Sequence, residues 1–193
     1  MINSWQNNGV SIVIPTYKRP EDVVRALKSI ESQAMEQTLC EIVVVDNDPK
    51  HSAKIAVNDF IRKSPARITF VHEPNPGVSN ARNTALQHAK GRFIAFLDDD
   101  MEAQSGWLRA LLEASRNYQA GLVFGPVVAV MPENENPIYT YMSGAFDRIP
   151  YSENGYIEKG VATGGCLADR KATSWLKPVF DPALNQTGGE GDV

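Results

Sequence analysis

Five apolar residues run directly into three aspartates at positions 93–100, where the sequence is Phe-Ile-Ala-Phe-Leu-Asp-Asp-Asp. An unbroken apolar run of this length is typical of a strand buried on both faces, as in a parallel sheet. Three adjacent carboxylates at the end of such a strand repel one another unless a cation lies nearby. The stretch therefore predicts a buried strand that brings an acidic, cation-binding turn to one edge of a sheet.

Predicted strands and helices alternate on both sides of this stretch. The other predicted strands are 10–14, 41–45, 67–72 and 121–130. The predicted helices are one from Pro20, one over 51–63, one capped by Ser79 or Asn80, and one containing Leu108, Leu111, Leu112 and Ser115. The residues expected to face inward on the second helix are Ile55, Phe60 and Ile61. Short parallel strands joined by helical crossovers form an open twisted sheet with both faces covered.

The composition is that of one ordinary globular domain. The chain has 193 residues, of which 42% are hydrophobic and 22% charged, and this excludes disordered and collagen-like classes. The 19 Lys and Arg against 23 Asp and Glu give a net charge of −4, so no nucleic-acid partner is expected. Cys40 and Cys166 lie far apart in the sequence, which favours a reduced compartment over a disulfide framework.

The sequence also predicts a location. No apolar run reaches the roughly 20 residues of a membrane-spanning helix, and residues 1–9 lack the apolar core of a signal peptide. The expected location is therefore the cytoplasm, with attachment to the inner face of the membrane left open. The closing residues 188–193, Gly-Gly-Glu-Gly-Asp-Val, are typical of a loop that enters a further element, so we expect the chain to continue beyond Val193.

The acidic triplet is the strongest candidate for a ligand site, because ligands bind at the carboxyl ends of strands in an open parallel sheet. Asp98 and Asp100 lie on the same side of an extended chain, where they can share one ligand cluster. Carboxylate oxygens suit Mg²⁺ or Mn²⁺, usually together with substrate phosphates. The alternative is a solvated acidic turn that caps the next helix. The three histidines lack the spacing of a zinc site.

Several common nucleotide and hydrolase motifs are absent from the sequence. No GxGxxG follows the first strand and no GxxxxGKS/T occurs, which removes the main support for a Rossmann dehydrogenase or a P-loop NTPase. The GxSxG turn of an α/β-hydrolase is also missing. A bound nucleotide would therefore be held in another way.

Taken in order, the motifs resemble those of the family 2 glycosyltransferases of GT-A fold. The matching stretches are 10–19, 43–47, 77–83, 96–100, 164–165 and 187–190. Each is weak alone, and the ordered set is specific. The resemblance implies an α/β domain of GT-A type, with an open, mostly parallel twisted sheet flanked by helices. One domain would span 1–193, with a donor-binding part over about 10–100 and an acceptor-side part over about 101–193.

The resemblance also implies roles for individual residues. The implied nucleotide-sugar contacts are Pro15, Thr16, Tyr17, Arg19, Asp46, Asn47, Arg82, Asp98 and Asp99. The implied metal ligands are Asp100 and Asp98, the implied acceptor-side turn is Gly164 and Gly165, and the implied general base is Asp192 or Glu190. Asn47 stands where many members have a second Asp that reads uracil. Since Asn both donates and accepts, the base need not be uracil. An ordinary surface position on a helix is the alternative for Arg82.

The activity implied by the resemblance is sugar transfer with inversion at the anomeric centre. The donor would be a nucleotide-sugar, the metal Mg²⁺ or Mn²⁺, and the acceptor a glycan, a lipid-linked molecule or a small hydroxyl compound, as in cell-envelope or polysaccharide biosynthesis. A nucleotidyltransferase is one alternative, although it would need a Gly-rich basic loop near the first strand, which the sequence lacks. A domain that binds nucleotide-sugar without turnover is the other.

Overall fold

The structure is a computed structural model that describes residues 4–37, 39–130, 147–149, 155, 163–174 and 178–183. The strands are β1 (Val10–Thr16), β2 (Cys40–Asp46), β3 (Ile68–His72), β4 (Phe93–Phe96), β5 (Leu122–Phe124) and β6 (Cys166–Asp169). The helices are α1 (Ser4–Asn8), α2 (Pro20–Glu36), α3 (Lys54–Ile61), α4 (Val78–His88) and α5 (Trp107–Asn117).

These strands form one sheet in the order β3-β2-β1-β4-β6-β5. The four strands predicted to be parallel, β1 to β4, are parallel, whereas β6 runs antiparallel to both β4 and β5. The chain moves outward from β1 to β3 and then returns to place β4 on the other side of β1. The strand order therefore reverses between β1 and β4, and a ligand crevice is expected outside the carboxyl ends of these two strands.

The unbroken apolar runs of the sequence are explained by burial on both faces of the central strands. All seven residues of β1 and of β2 are buried. Alternate side chains point to opposite faces of a strand. Ile12 and Ile42 accordingly lie in the core on the α2 side, and Val13 and Val43 lie in the core on the α4 side. Burying each such side chain contributes about 1.5–3 kcal/mol to the free energy of folding relative to leaving it exposed. The loops at the strand ends are therefore attached to a tightly packed sheet.

Two helix starts differ from the prediction. The second helix begins at Lys54 rather than at position 51, because His51 adopts a left-handed φ of 53° in a turn that precedes the helix. The prediction that Ile55 faces inward is wrong: it is 77% exposed, and Val57 is the buried residue of α3. The predicted cap at Ser79 or Asn80 is also wrong, since α4 starts at Val78 without a side-chain cap.

The later part of the chain is only partly covered by the structure. Helix α5 is confirmed, and the four residues predicted on its inner face are buried. Strand β5 is shorter than the predicted 121–130, and most of residues 131–160 lie outside the described part of the chain. In the part of the chain that the structure describes, no helix is both long enough and apolar enough to cross a membrane.

Candidate functional site

The loops that follow β1, β2 and β4 meet at the carboxyl edge of the sheet. Thr16, the last residue of β1, donates a hydrogen bond from Oγ1 to Oδ2 of Asp99 at 2.7 Å. The backbone carbonyl of Thr16 accepts from the N–H of Asn47 at 2.9 Å, which ties the end of β2 to the same place. This is the crevice at which the strand order reverses, so the predicted gathering of polar loops at one edge is present.

The acidic triplet forms a turn rather than an extended segment. Strand β4 ends at Phe96, and the carbonyl of Asp98 accepts from the N–H of Met101 at 3.1 Å. The expectation that Asp98 and Asp100 share one side of an extended chain is therefore wrong. Exposure differs among the three side chains: Asp99 is 8% exposed, Asp98 19% and Asp100 53%. Asp100 is thus the carboxylate most open to an incoming ligand.

Two arginines from different parts of the chain form ion pairs with the three aspartates. Arg82 on α4 donates from Nη2 to Oδ1 of Asp98 at 3.0 Å. Arg19, just before α2, donates from Nη1 to Oδ1 of Asp99 at 3.2 Å and to Oδ2 of Asp100 at 2.8 Å. Burial raises the pKa of Asp99, while the hydrogen bond from Thr16 and the charge of Arg19 oppose that shift. The site therefore brings negatively charged carboxylates and positively charged guanidinium groups within hydrogen-bond distance of each other.

Arg82 belongs to the site and not to the helix surface. Its side chain is 7% exposed, so the alternative of an ordinary surface arginine is wrong. The guanidinium lies 5.6 Å from the centre of the Phe180 ring, a cation–π distance. Within the described residues its Nε has no hydrogen-bond partner. A buried donor of this kind is costly unless a ligand or water satisfies it, and it points to a binding role.

Asp46 and Asn47 both hold loops in place. Asp46 is fully buried, and its two carboxylate oxygens accept from the N–H groups of Asp48 and Ala53 at 2.9 and 3.0 Å. Asn47 is 5% exposed, and its amide bonds only to the backbone of residues 73–77 in the contacts that the structure describes. Through these bonds the two side chains position the loops after β2 and β3.

Sequence reasoning missed the part played by the loop after β3. Asn47 donates to the carbonyls of Glu73 and Asn75 at 2.8 and 2.7 Å and accepts from the N–H of Gly77 at 2.7 Å. Glu73 in turn accepts from the N–H of Asn75 at 2.8 Å and from the Thr84 hydroxyl. The position of Glu73 directly after a parallel strand is the signal that could have identified this loop.

The residues of the predicted motif at the end of β1 lie partly in the sheet and partly at the surface. Pro15 is buried within β1, where it lies opposite Val45, whereas Tyr17 is 49% exposed just beyond the strand. Lys18 has a left-handed φ of 58° and places Nζ 4.6 Å from the centre of the Tyr17 ring. Tyr17 therefore follows the end of β1 with a half-exposed ring, and the ammonium group of Lys18 lies over that ring.

Gly164 and Gly165 lie against the acidic turn. A Cβ on Gly164 would be 2.6 Å from Cε of Met101 and 3.1 Å from Cγ of Asp98, with the Oδ2 of that aspartate closer still. Gly165 has a φ of 82° and donates its N–H to the carbonyl of Phe96 at 2.9 Å. The turn predicted for the acceptor side thus packs directly onto Asp98, and a side chain at position 164 has no room.

The described part of the site contains neither the candidate general bases nor a reactive cysteine nor a complete metal-binding group. Asp192 and Glu190, the candidate bases, lie outside the described residues. Burial raises the pKa of the Cys166 thiol to about 12, so this buried cysteine is not a thiolate nucleophile at neutral pH. Among the described residues, no group of three or more His, Cys, Asp or Glu side chains is arranged to hold a metal ion.

The fold and this edge define the class of protein. Residues 11–174 match the family model of glycosyl transferase family 2, and the chain belongs to that family. Of the curated proteins, the succinoglycan biosynthesis protein ExoM of Rhizobium meliloti (strain 1021) is 34% identical over 182 residues. The match covers 94% of this chain and 58% of ExoM, so the chain spans little more than half the length of this relative.

Solved structures agree on the architecture. The mannosyltransferase PcManGT from Pyrobaculum calidifontis, in complex with GDP-Man and Mn²⁺, is 27% identical with a TM-score of 0.53 over 60% of this chain and 34% of its own. S. aureus TarS 1–349 in complex with UDP has a TM-score of 0.66 at 18% identity, over 93% of this chain and 52% of its own. At that identity TarS bears on the fold alone, and the predicted GT-A fold is confirmed.

Proposed function

We propose that this chain transfers a sugar from a nucleoside-diphosphate-sugar to a hydroxyl acceptor, with inversion at the anomeric centre. The observation that carries the proposal is the hydrogen bond between Thr16 and Asp99, which joins the loops after β1 and β4 at the point where the strand order reverses. Family membership supports sugar transfer, and the GDP-Man bound by PcManGT supports a nucleotide-linked donor.

The residues present fit a divalent cation that is bound in part by protein carboxylates and in part by the phosphates of the donor. The proposed ligands are Asp100 and Asp98, whose hard carboxylate oxygens suit Mg²⁺ or Mn²⁺. Asp100 is half exposed, so it can reach a ligand, and the described residues offer no complete protein cage. Mg²⁺ is usually bound by one or two carboxylates together with substrate phosphates, and the proposed site has this composition. The bound ion would offset the negative charge that develops on the departing diphosphate.

The surrounding side chains position the donor. Arg82 fixes the carboxylate of Asp98 through its Nη2, and its Nε, which has no partner among the described residues, is a donor for a phosphate or ribose oxygen. Thr16 holds Asp99 and thereby fixes the acidic turn. Tyr17, exposed at the same edge, offers a ring on which a base can stack. Gly164 packs directly against Asp98, and a side chain at this position would push that carboxylate out of place.

The proton of the acceptor hydroxyl needs a base. We assign this role to Asp192 or Glu190, the two acids after the Gly188–Gly189 pair. A carboxylate in that role removes the proton as the hydroxyl attacks from the face opposite the leaving diphosphate, and such catalysis is typically worth about 10²–10⁴-fold. Attack from that face inverts the anomeric centre.

The acceptor is proposed to belong to envelope or polysaccharide biosynthesis. ExoM is named for succinoglycan biosynthesis, which favours a growing glycan or a lipid-linked saccharide over a small metabolite. A lipid-linked acceptor would bring the protein to the cytoplasmic face of the membrane as a peripheral protein.

The first experiment identifies the donor with the full-length protein. Nucleotide-sugars are screened by thermal shift in the presence of Mn²⁺, because a ligand that binds the folded state raises the melting temperature. Products from the best donor are then analysed. Release of a nucleoside diphosphate supports the proposal, release of pyrophosphate supports a nucleotidyltransferase, and binding without any product supports a domain that does not turn over.

The second experiment tests the acidic turn. Asp100→Asn is expected to lower donor turnover by about 10²-fold, the scale seen when one group that stabilises transition-state charge is removed. The matched control is Glu102→Gln, because Glu102 lies two residues further on, is 63% exposed and pairs only loosely with Arg25 at 3.7 Å. Full activity of Asp100→Asn would rule out the proposed metal role.

A further inference from the structure

Arg19 occupies the carboxylate that the proposed donor complex needs. Its Nη1 lies 2.8 Å from Oδ2 of Asp100 and 3.2 Å from Oδ1 of Asp99. The backbone of Arg19 is fixed, because its carbonyl accepts from the N–H of Val23 in the first turn of α2. Its side chain is 50% exposed, so the guanidinium can change partners without leaving water.

The two arginines of the site differ in this respect. Arg82 is 7% exposed and packs against Phe180, so it is locked onto Asp98. In the contacts that the structure describes, the Arg19 side chain is held at its charged end, by one buried and one exposed carboxylate. Three carboxylates therefore face two guanidinium groups, of which one is buried and the other is half exposed.

We propose that Arg19 is a positioning residue that competes with the divalent cation for Asp100 and moves to the donor diphosphate when the donor binds. The inference rests on the proposed function. A guanidinium bonded to Oδ2 of Asp100 disfavours a divalent ion on the same carboxylate, because two positive charges at that distance repel each other. Phosphate oxygens are good acceptors for the planar guanidinium, often with two parallel hydrogen bonds. Arg19 thereby couples the binding of cation and donor.

This coupling has a measurable consequence. With no donor present, Arg19 stays on Asp100 and weakens cation binding. With the donor present, Arg19 moves to the diphosphate and Asp100 becomes available. Because coupling between two ligands is reciprocal, the donor strengthens cation binding by the same factor by which the cation strengthens donor binding.

The test titrates Mn²⁺ into the full-length protein and measures free Mn²⁺ by electron paramagnetic resonance, alone and with saturating UDP or GDP. Arg19→Gln is expected to bind Mn²⁺ alone about fivefold more tightly than wild type, the lower end of usual coupling factors. The gain in Mn²⁺ affinity caused by the nucleotide should shrink by a similar factor. Arg19→Lys keeps the positive charge and should stay close to wild type.

Arg25→Gln is the matched control. Arg25 lies on the next turn of α2, is 55% exposed and pairs with Asp22 and Glu102 rather than with the acidic turn. Its removal changes the net charge by the same amount and should leave Mn²⁺ affinity within twofold of wild type. Arg19→Met serves as a second neutral variant, and urea denaturation establishes that each variant is folded.

The outcomes separate this inference from the proposed function. Mn²⁺ affinity of Arg19→Gln and Arg19→Met equal to or weaker than that of Arg25→Gln would overturn the competition. If UDP and GDP both leave the Mn²⁺ affinity of wild type unchanged, the proposed donor chemistry fails. In that case the titration without nucleotide still decides whether Arg19 competes for Asp100.

Discussion

Replacing Gly164 by alanine tests whether the turn before β6 controls the geometry of the acidic turn. The added Cβ would lie 2.6 Å from Cε of Met101 and 3.1 Å from Cγ of Asp98, against about 3.5–4.0 Å for relaxed contacts. The end of the Met101 side chain can turn away. Asp98 cannot do so freely, because Arg82 holds it at 3.0 Å.

Asp98 is therefore expected to move by about 1 Å, and this movement would break its ion pair with Arg82. Overpacking of this kind costs about 1–3 kcal/mol of unfolding free energy, and a 1 Å misplacement at a reacting centre can cost about 10²-fold in rate. Urea denaturation gives the first quantity. Donor turnover at saturating Mn²⁺ gives the second.

Gly121→Ala is the control for this prediction. A Cβ there would lie 2.5 Å from the Cβ of Ala172, which cannot rotate away, and Gly121 lies at the opposite end of the sheet, where its carbonyl bonds to the N–H of Asp169. The control should lose similar stability and keep its turnover relative to the amount of folded protein. A Gly164→Ala protein with wild-type turnover would refute the reasoning.

Two further predictions concern residues that hold loops and strands. Burial opposes the ionisation of Asp169, yet the hydrogen bonds from Arg92 and from the backbone N–H of Lys171, together with the positive charges of these two residues, outweigh it and lower the pKa. Because the folded pKa is depressed, the stabilisation is complete above the unfolded value of about 3.9 and is lost as pH falls through the folded pKa. Asp169→Asn should therefore cost about 1.5–3 kcal/mol at pH 7 and much less at pH 3 by urea denaturation, and an equal deficit at both values would contradict this. Asn47→Asp removes the donors to the carbonyls of Glu73 and Asn75 and should cost about 1–3 kcal/mol, whereas unchanged stability would show that these bonds do not hold the loop.

The parallel half of the fold could be predicted because three of its four strands, β1, β2 and β4, are buried on both faces. Burial of that kind requires unbroken β-branched runs, and such runs are visible in a sequence. The inner face of α3 was predicted only in part. Phe60 and Ile61 pack against the core as predicted, whereas Ile55 is 77% exposed. The start of α3 depends on the left-handed residue His51 and on the hydrogen bond that the N–H of Ala53 donates to Asp46, and neither is visible in a hydrophobic pattern.

The candidate site was predictable in position and not in detail. The carboxyl edge of the sheet follows from topology, so the loops that meet there could be named in advance. The hydrogen-bond and ion-pair partners of individual side chains could not be predicted, because they depend on which side of a helix or turn faces the crevice. Arg82 has the same residue type and helical context whether it is buried on Asp98 or exposed, and only the packing of α4 against β1 and β2 distinguishes the two.

The antiparallel arrangement of β5 and β6 has a consequence for protein engineering. The chain leaves the sheet at Phe124 and returns at Cys166 beside it, and these two residues are register partners. A segment inserted between partnered strand ends can be exchanged for one of another length at a small entropic cost, without shifting either strand. Chimeras that exchange the residues between these two strand ends for those of another family member, with the first four strands untouched, are thus expected to keep the sheet intact.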